Sequence, residues 1–160
     1  MPVALHDPAA RGRRLGSPGL VSWLVDTIVF SEPVKPKPDA KVVAWLRAHE
    51  SELYVSTITI GENRRGLERL PDGKRKTQLR AWLIALCDCM RGRILSYNTS
   101  TAHVWGQLKA KWDRAGLAIP SLDSQLAATA HRHGLTIVTR NLRDFAKTGV
   151  KVMNPFGRSP

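Results

Sequence analysis

Apolar residues along this chain follow two alternating patterns. Short apolar runs rich in β-formers occur at residues 22–29 (SWLVDTIV), 52–57 (ELYVST), 94–97, 136–139 and 150–153. Runs of that length and composition predict buried strands. Between them the apolar positions recur at helical spacing. Val42, Val43, Trp45 and Leu46 follow Asp39, a residue suited to cap a helix. Leu67 and Leu70 extend a second helix, for which Thr59 and Glu62 form a capping-box pattern. Leu79, Trp82, Leu83 and Leu86 predict a long helix over residues 74–90. Val104, Trp105, Leu108 and Trp112 mark another over 100–115, and Leu126, Ala127 and Ala130 one over 122–133. Pro33, Pro36, Pro38, the Pro71-Asp72-Gly73 turn, Gly116 and Gly134 punctuate the series. Strands alternating with helices predict an α/β fold, a three-layer sandwich with a parallel sheet of about five strands flanked by helices. No internal repeat or low-complexity segment interrupts it.

The 160 residues suffice for one domain with its own core. No stretch approaches the roughly 20 apolar residues of a membrane span. Residues 1–19, rich in Pro, Gly, Arg and Ala, show neither periodicity nor the apolar core of a secretory signal. They are expected to form a flexible extension, or to reflect an upstream start codon, and residues 20–157 to form the folded domain. Cys87 and Cys89 sit on different faces of the predicted helix, which disfavours a disulfide or a zinc pair and suits a reducing cytoplasm. The five His residues show no metal-ligand spacing.

Charge narrows the choice of partner. The chain carries 25 Lys and Arg against 13 Asp and Glu, a net charge of +12. That balance suits an anionic partner such as nucleic acid, although solubility alone also accounts for it.

Against this background four acids stand out by position. Asp26 interrupts the first apolar run, where an unpaired carboxylate is costly. Glu62 follows the second strand, Asp123 opens the helix at 122, and Asp144 follows the fourth strand. Taken singly, Glu62 reads as a capping partner, Asp123 as an acid answering the helix dipole, and Asp144 as a solvated loop residue. Taken together, all four fall at strand ends or helix starts, where open α/β sheets build sites. Thr139-Arg140-Asn141 marks one such end. Clustered carboxylates suit a hard divalent cation.

Several segments carry a resemblance. LVDT lies at the first acid, VSTITIGENRRGLERLPDGKRK around the second, DSQLAATAHRHGLTIVTRNLRDF around the last two, and VMNPF near the end. In these the chain resembles PIN-domain toxins of the VapC type, especially the FitB-like branch, over about residues 22–156. The resemblance implies a PIN fold and an endoribonuclease dependent on Mg²⁺ or Mn²⁺. It makes Asp26 and Asp123 the principal metal ligands, Glu62 a third acid and Asp144 the fourth, with Asn141 at the place where some relatives carry that acid. It gives Thr27, Thr139 and Asn141 supporting hydrogen bonds. It also implies a toxin–antitoxin pair, with a small antitoxin whose C-terminal segment wraps the toxin and sets a basic side chain in the acid pocket. A homodimer is implied as well. The helix faces bearing Trp45 and Trp82 could serve it, although core packing is the favoured reading of both residues.

The chain departs from the family pattern in three places, one of them the N-terminal extension, since relatives begin only a few residues before the first acid. Ile28 stands where the family usually has Asn, a loss expected to loosen the loop that orients Asp26. Asn98 stands where relatives often carry Asp. Arg140 and Arg143 beside the site are expected to bind RNA, whereas Lys74, Arg75 and Lys76 read first as a solvated helix start. The rival to a nuclease is a catalytically weakened PIN-fold module that only binds nucleic acid. A phospho-accepting receiver domain is a more distant rival, because Lys147 and Lys151 are poorly placed for it.

Overall fold

A computed structural model describes residues 21–157 of the chain. The extension expected over residues 1–19 lies outside the described residues. The strands are β1 (Trp23–Val25), β2 (Leu53–Ser56), β3 (Ile94–Leu95), β4 (Thr136–Val138) and β5 (Val152–Met153). The α-helices are α1 (Thr27–Phe30), α2 (Ala40–Ala48), α3 (Thr57–Glu68), α4 (Lys74–Cys89), α5 (Thr99–Arg114), α6 (Ser121–His133) and α7 (Leu142–Ala146). All strand pairs are parallel, in the order β3-β2-β1-β4-β5. The chain therefore leaves β1 toward one edge and later returns to build the other edge from β4. The carboxyl ends of β1 and β4 flank that reversal, the place where open α/β sheets hold ligands.

Side chains alternate across the sheet with period two and separate two apolar layers. Leu24 and Ile137 face Trp112, Leu126, Ala127, Ala130 and Phe145, the side covered by α5, α6 and α7. Val25, Val55 and Val138 face Val29, Val42 and Met90, with Trp45, Trp82 and Leu86 packed behind them. Trp45 and Trp82 thus pack against the core. Trp45 also stacks on His49 at 4.5 Å and meets Trp23 edge-on at 5.3 Å.

Three local differences from the predicted elements have physical causes. The first strand ends just before Asp26, and the rest of the 22–29 run is a short helix, because the Asp26 carboxylate accepts from the Thr27 N–H and turns the chain into α1. The second helix is capped by Ser56, not Thr59: Ser56 Oγ accepts from Ile58 N at 3.1 Å. Glu62 therefore sits beyond the first turn and is not a capping-box partner. Strand β3 is only two residues long, since Asn98 caps α5 through Thr101 N immediately afterwards. The expected Asp39 cap on α2 is present, with Asp39 Oδ1 accepting from Lys41 N at 2.8 Å. Gly134 closes α6 at φ 67°, a left-handed conformation that favours glycine.

Candidate active site

The site grows from the end of β1. The Asp26 N–H donates to the Val138 carbonyl at 3.0 Å, extending the β1–β4 ladder by one residue. Its carboxylate then takes two hydrogen bonds. Oδ1 accepts from Thr27 N at 2.6 Å, and Oδ2 accepts from Thr139 Oγ1 at 2.8 Å. Thr139 is fully buried, and its Oγ1 also accepts from Asn141 N at 3.0 Å. One hydroxyl thus joins the end of β4, the first acid and the loop into α7. Thr27 supports Asp26 through its backbone N–H. Neither bond uses the side chain at position 28, and Ile28 is an exposed residue on the cleft wall.

Glu62 and Asp123 arrive from the helices on either side. Thr59 is buried in α3, and its hydroxyl reaches the Val25 carbonyl at 3.5 Å, which ties α3 to the end of β1. Glu62 follows on the same helix, with Arg65 at 3.5 Å. Asp123 lies in the first turn of α6. Its neighbour Ser124 is fully buried, donates to the Ser121 carbonyl at 2.6 Å and accepts from Trp105 Nε1 at 2.9 Å. Trp105 of α5 thereby holds the turn that presents Asp123. Sequence reasoning gave Thr59 a capping role instead and passed over Ser124, because a buried hydroxyl has no periodicity signature.

Asp26, Glu62 and Asp123 line one cleft of about 210 Å³ with Thr27, Ile28, Thr59, Leu122 and Asn141. Asp144 does not line that cleft, but its charge reaches Asp123, so it stands close behind the other acids. It lies on α7, where Oδ2 accepts from Asn141 Nδ2 at 2.9 Å and Oδ1 is 3.7 Å from Lys147 Nζ. The neutral Asn141 faces the cleft in its stead. Arg140 and Arg143 are exposed, and the Arg140 guanidinium lies 4.6 Å from the Phe156 ring centroid.

The acids feel one another. The Asp123 carboxyl is pushed up to about 6, first by burial and then by the charges of Asp26, Asp144 and Glu62. Burial also raises Asp26, and Glu62 adds to it, against the lowering effect of the Thr139 and Thr27 hydrogen bonds. The cleft carries more negative charge than its own residues neutralise. Among the described residues no three His, Cys, Asp or Glu side chains are gathered into a ready-made metal cage. The donors are carboxylates and an amide, with no thiol or imidazole. That set fits a hard divalent cation held by one or two carboxylates and several waters.

The PIN domain family matches residues 23–151. The chain belongs to the PIN domain family. Its PIN domain is 39% identical over 135 residues to the plasmid stability protein StbB of Pseudomonas syringae pv. tomato, covering 83% of this chain and 97% of that protein. It is 38% identical over 135 residues to the toxin FitB of Neisseria gonorrhoeae, with the same shares covered. It is 36% identical over 135 residues to the VapC ribonuclease Y4jK of Sinorhizobium fredii, covering 83% of this chain and 96% of that one. Among solved structures, FitAcB from Neisseria gonorrhoeae superposes with a TM-score of 0.79 at 36% identity, over 85% of this chain and 99% of that chain.

The raised Asp123 carboxyl makes the stability of the metal-free PIN domain depend on pH. The folded value of about 6 lies above the ordinary aspartate value of 3.8, so the unfolded chain loses this proton first. Stability therefore falls as pH rises from about 4 to 6 and is level above that. Asp123→Asn removes the charge. Discounted for partial exposure, the gain at pH 8 is about 1 kcal/mol, a rise of roughly 3–6 °C in melting temperature that vanishes near pH 4. Scanning calorimetry of both proteins in chelator checks this; a gain of equal size at both pH values contradicts the charge argument.

Proposed function

We propose that this PIN domain is the toxin of a toxin–antitoxin pair and a metal-dependent endoribonuclease that hydrolyses RNA phosphodiester bonds. The observation that carries it is the meeting of Asp26, Glu62 and Asp123, from three distant segments, in one cleft at the sheet's reversal point. The kinship with a VapC ribonuclease and the FitB toxin supports the same reading. The working unit is residues 20–157.

Asp26 and Asp123 are the principal ligands for Mg²⁺ or Mn²⁺, and Glu62 completes the acid set. A divalent cation there supplies a water of lowered pKa and neutralises charge on the phosphodiester. The chain's own residues do the rest. Thr139 and the Thr27 N–H hold both Asp26 oxygens in one orientation. Asp144 acts through Asn141, fixing its amide at the cleft wall. Ile28 and Leu122 border the acids with apolar surface and limit water there. Arg140 and Arg143 bind the RNA backbone. In the inactive complex an antitoxin segment sets a cationic side chain among the acids, offsetting the charge that the metal otherwise offsets. The toxin acts as a homodimer. Among the described residues no helix is long and apolar enough to cross a membrane.

The rival reading, a PIN-fold module that binds nucleic acid without cutting it, rested on Ile28. The direct test incubates purified protein with mixed single-stranded RNA. Cleavage is expected with added Mg²⁺ or Mn²⁺ and is expected to stop in chelator. Cleavage that persists in chelator, or RNA that binds and stays intact with metal present, rejects the nuclease mechanism.

A further inference from the structure

Beside the acid cleft lies a second hollow, of about 280 Å³, walled by α3, by α4 and by the segment that follows β1. Thr27 and Glu62 line both, so the two hollows adjoin across a shared wall. The second hollow is mainly apolar, with buried Leu67 and Leu83 and half-buried Leu79 and Trp82. Its polar side chains are Thr27 and Glu62 on the shared wall, and Ser31, Asn63, Lys35 and Arg75 beyond it.

The cations near this hollow differ in what neutralises them. Lys35 is paired with the buried Glu32. Lys76 is held by Asp72 at 3.0 Å and Glu68 at 3.8 Å. Arg75 instead donates from Nη2 to the Val34 carbonyl. A carbonyl orients the guanidinium without cancelling its charge, and Arg75 has no ion pair among the described residues. Asn63 donates from Nδ2 to the Thr59 carbonyl at 2.9 Å, which leaves Oδ1 to accept from a ligand.

We infer that this hollow is a nucleotide subsite, taking the unpaired base next to the cleaved phosphodiester, with Arg75 on a flanking phosphate and Asn63 Oδ1 at the base edge. The inference rests on the acid cleft being the RNA-cleaving site. Single-stranded RNA is recognised through splayed bases that bury flat apolar faces and hydrogen-bond along their edges. A mainly apolar hollow with an amide acceptor, and with Arg75 uncompensated by an ion pair at its outer side, matches that chemistry, and the shared wall at Thr27 and Glu62 sets the base beside the reacting phosphate. An aliphatic side chain of a protein partner would fill the apolar part and leave the Arg75 charge unanswered. Arg75 is exposed in the first turn of α4, as a solvated helix start predicts, and it differs from its neighbours in reaching across to the Val34 carbonyl.

The test compares wild type with Arg75→Ala, Arg75→Lys and Asn63→Ala, each checked for folding by thermal melting. Two readouts are taken: steady-state RNA cleavage with Mg²⁺, and anisotropy binding of a fluorescein-labelled single-stranded oligoribonucleotide in an Asp26→Asn background, in chelator, so that cutting is suppressed during the measurement. Arg75→Ala is expected to raise KM and weaken binding about tenfold with kcat nearly unchanged, and Arg75→Lys to restore most of both. Asn63→Ala is expected to alter which bases flank the cuts. Unchanged KM, binding and cut pattern in folded variants overturn the subsite, including the case in which Arg75→Ala weakens only antitoxin binding. If wild type cuts no RNA, the nuclease reading fails. The binding arm then decides the subsite separately, through a tenfold loss or none.

Discussion

Asp26→Asn and Asp123→Asn are each expected to reduce RNA cleavage by roughly 10²–10⁴-fold while leaving a folded protein. The hydrogen bonding at Asp26 explains why a near-isosteric change is so costly. Both carboxylate oxygens accept, one from Thr27 N and the other from Thr139 Oγ1. An amide can supply only one acceptor oxygen. If its oxygen keeps the Thr27 N–H, its NH₂ meets the Thr139 hydroxyl, which already accepts from Asn141 N and must find a new acceptor for its own proton. The substitution thus removes a negative charge and disturbs the link to Asn141. It also relieves repulsion, since Asp26 raises the Asp123 carboxyl and Glu62 raises that of Asp26. The melting temperature is therefore expected to hold or rise as activity disappears. Gel-based cleavage assays alongside thermal melts check both halves. Full activity in either variant removes that acid from the mechanism, and a collapsed melting temperature makes its role structural.

Phe145→Ala is expected to destabilise the protein by about 3–5 kcal/mol. Phe145 is fully buried and packs in the layer that holds Leu24 and Ile137. Its helix, α7, has only five residues and cannot persist by propensity alone, so this one ring is its main attachment to the core. The consequence reaches the site, because Asn141 caps α7 and Asp144 is held within it. Lower RNA cleavage is expected well below the new melting temperature, as the Asn141 amide loses its fixed place. Urea denaturation measures the first effect and cleavage at low temperature the second. A stability loss below about 1 kcal/mol means that the site collapses around the missing ring.

Much of the fold was legible because burial leaves a pattern along the chain. The runs at 22–29, 52–57 and 136–139 each contain an observed strand, and the helices around Trp82, Trp112 and Leu126 lie close to the predicted spans. The errors fall where one side chain overrides the pattern. Residues 27–29 continue the apolar run of the first strand, yet the Asp26 carboxylate turns them into a helix. Thr59 looks like a cap, but Ser56 takes that role, and the Thr59 hydroxyl goes to the Val25 carbonyl. Both are choices between hydrogen-bond partners that local sequence offers equally.

The sequence alone determined the alternation of strands and helices, the basic balance, and four candidate acids near element boundaries, because these depend on local spacing and composition. Only the tertiary structure decided which acids share a cleft. Asp26 and Asp123 are far apart along the chain and meet because β4 pairs beside β1 and α6 leads into β4. It was likewise the register of β4 that put Thr139 on Asp26, and the cap of α7 that set Asn141 at the cleft with Asp144 behind it. Arg75 could not be told from Lys76 by type or position. Their difference lies in whether a carbonyl or a carboxylate stands opposite, and only the folded chain brings either one there.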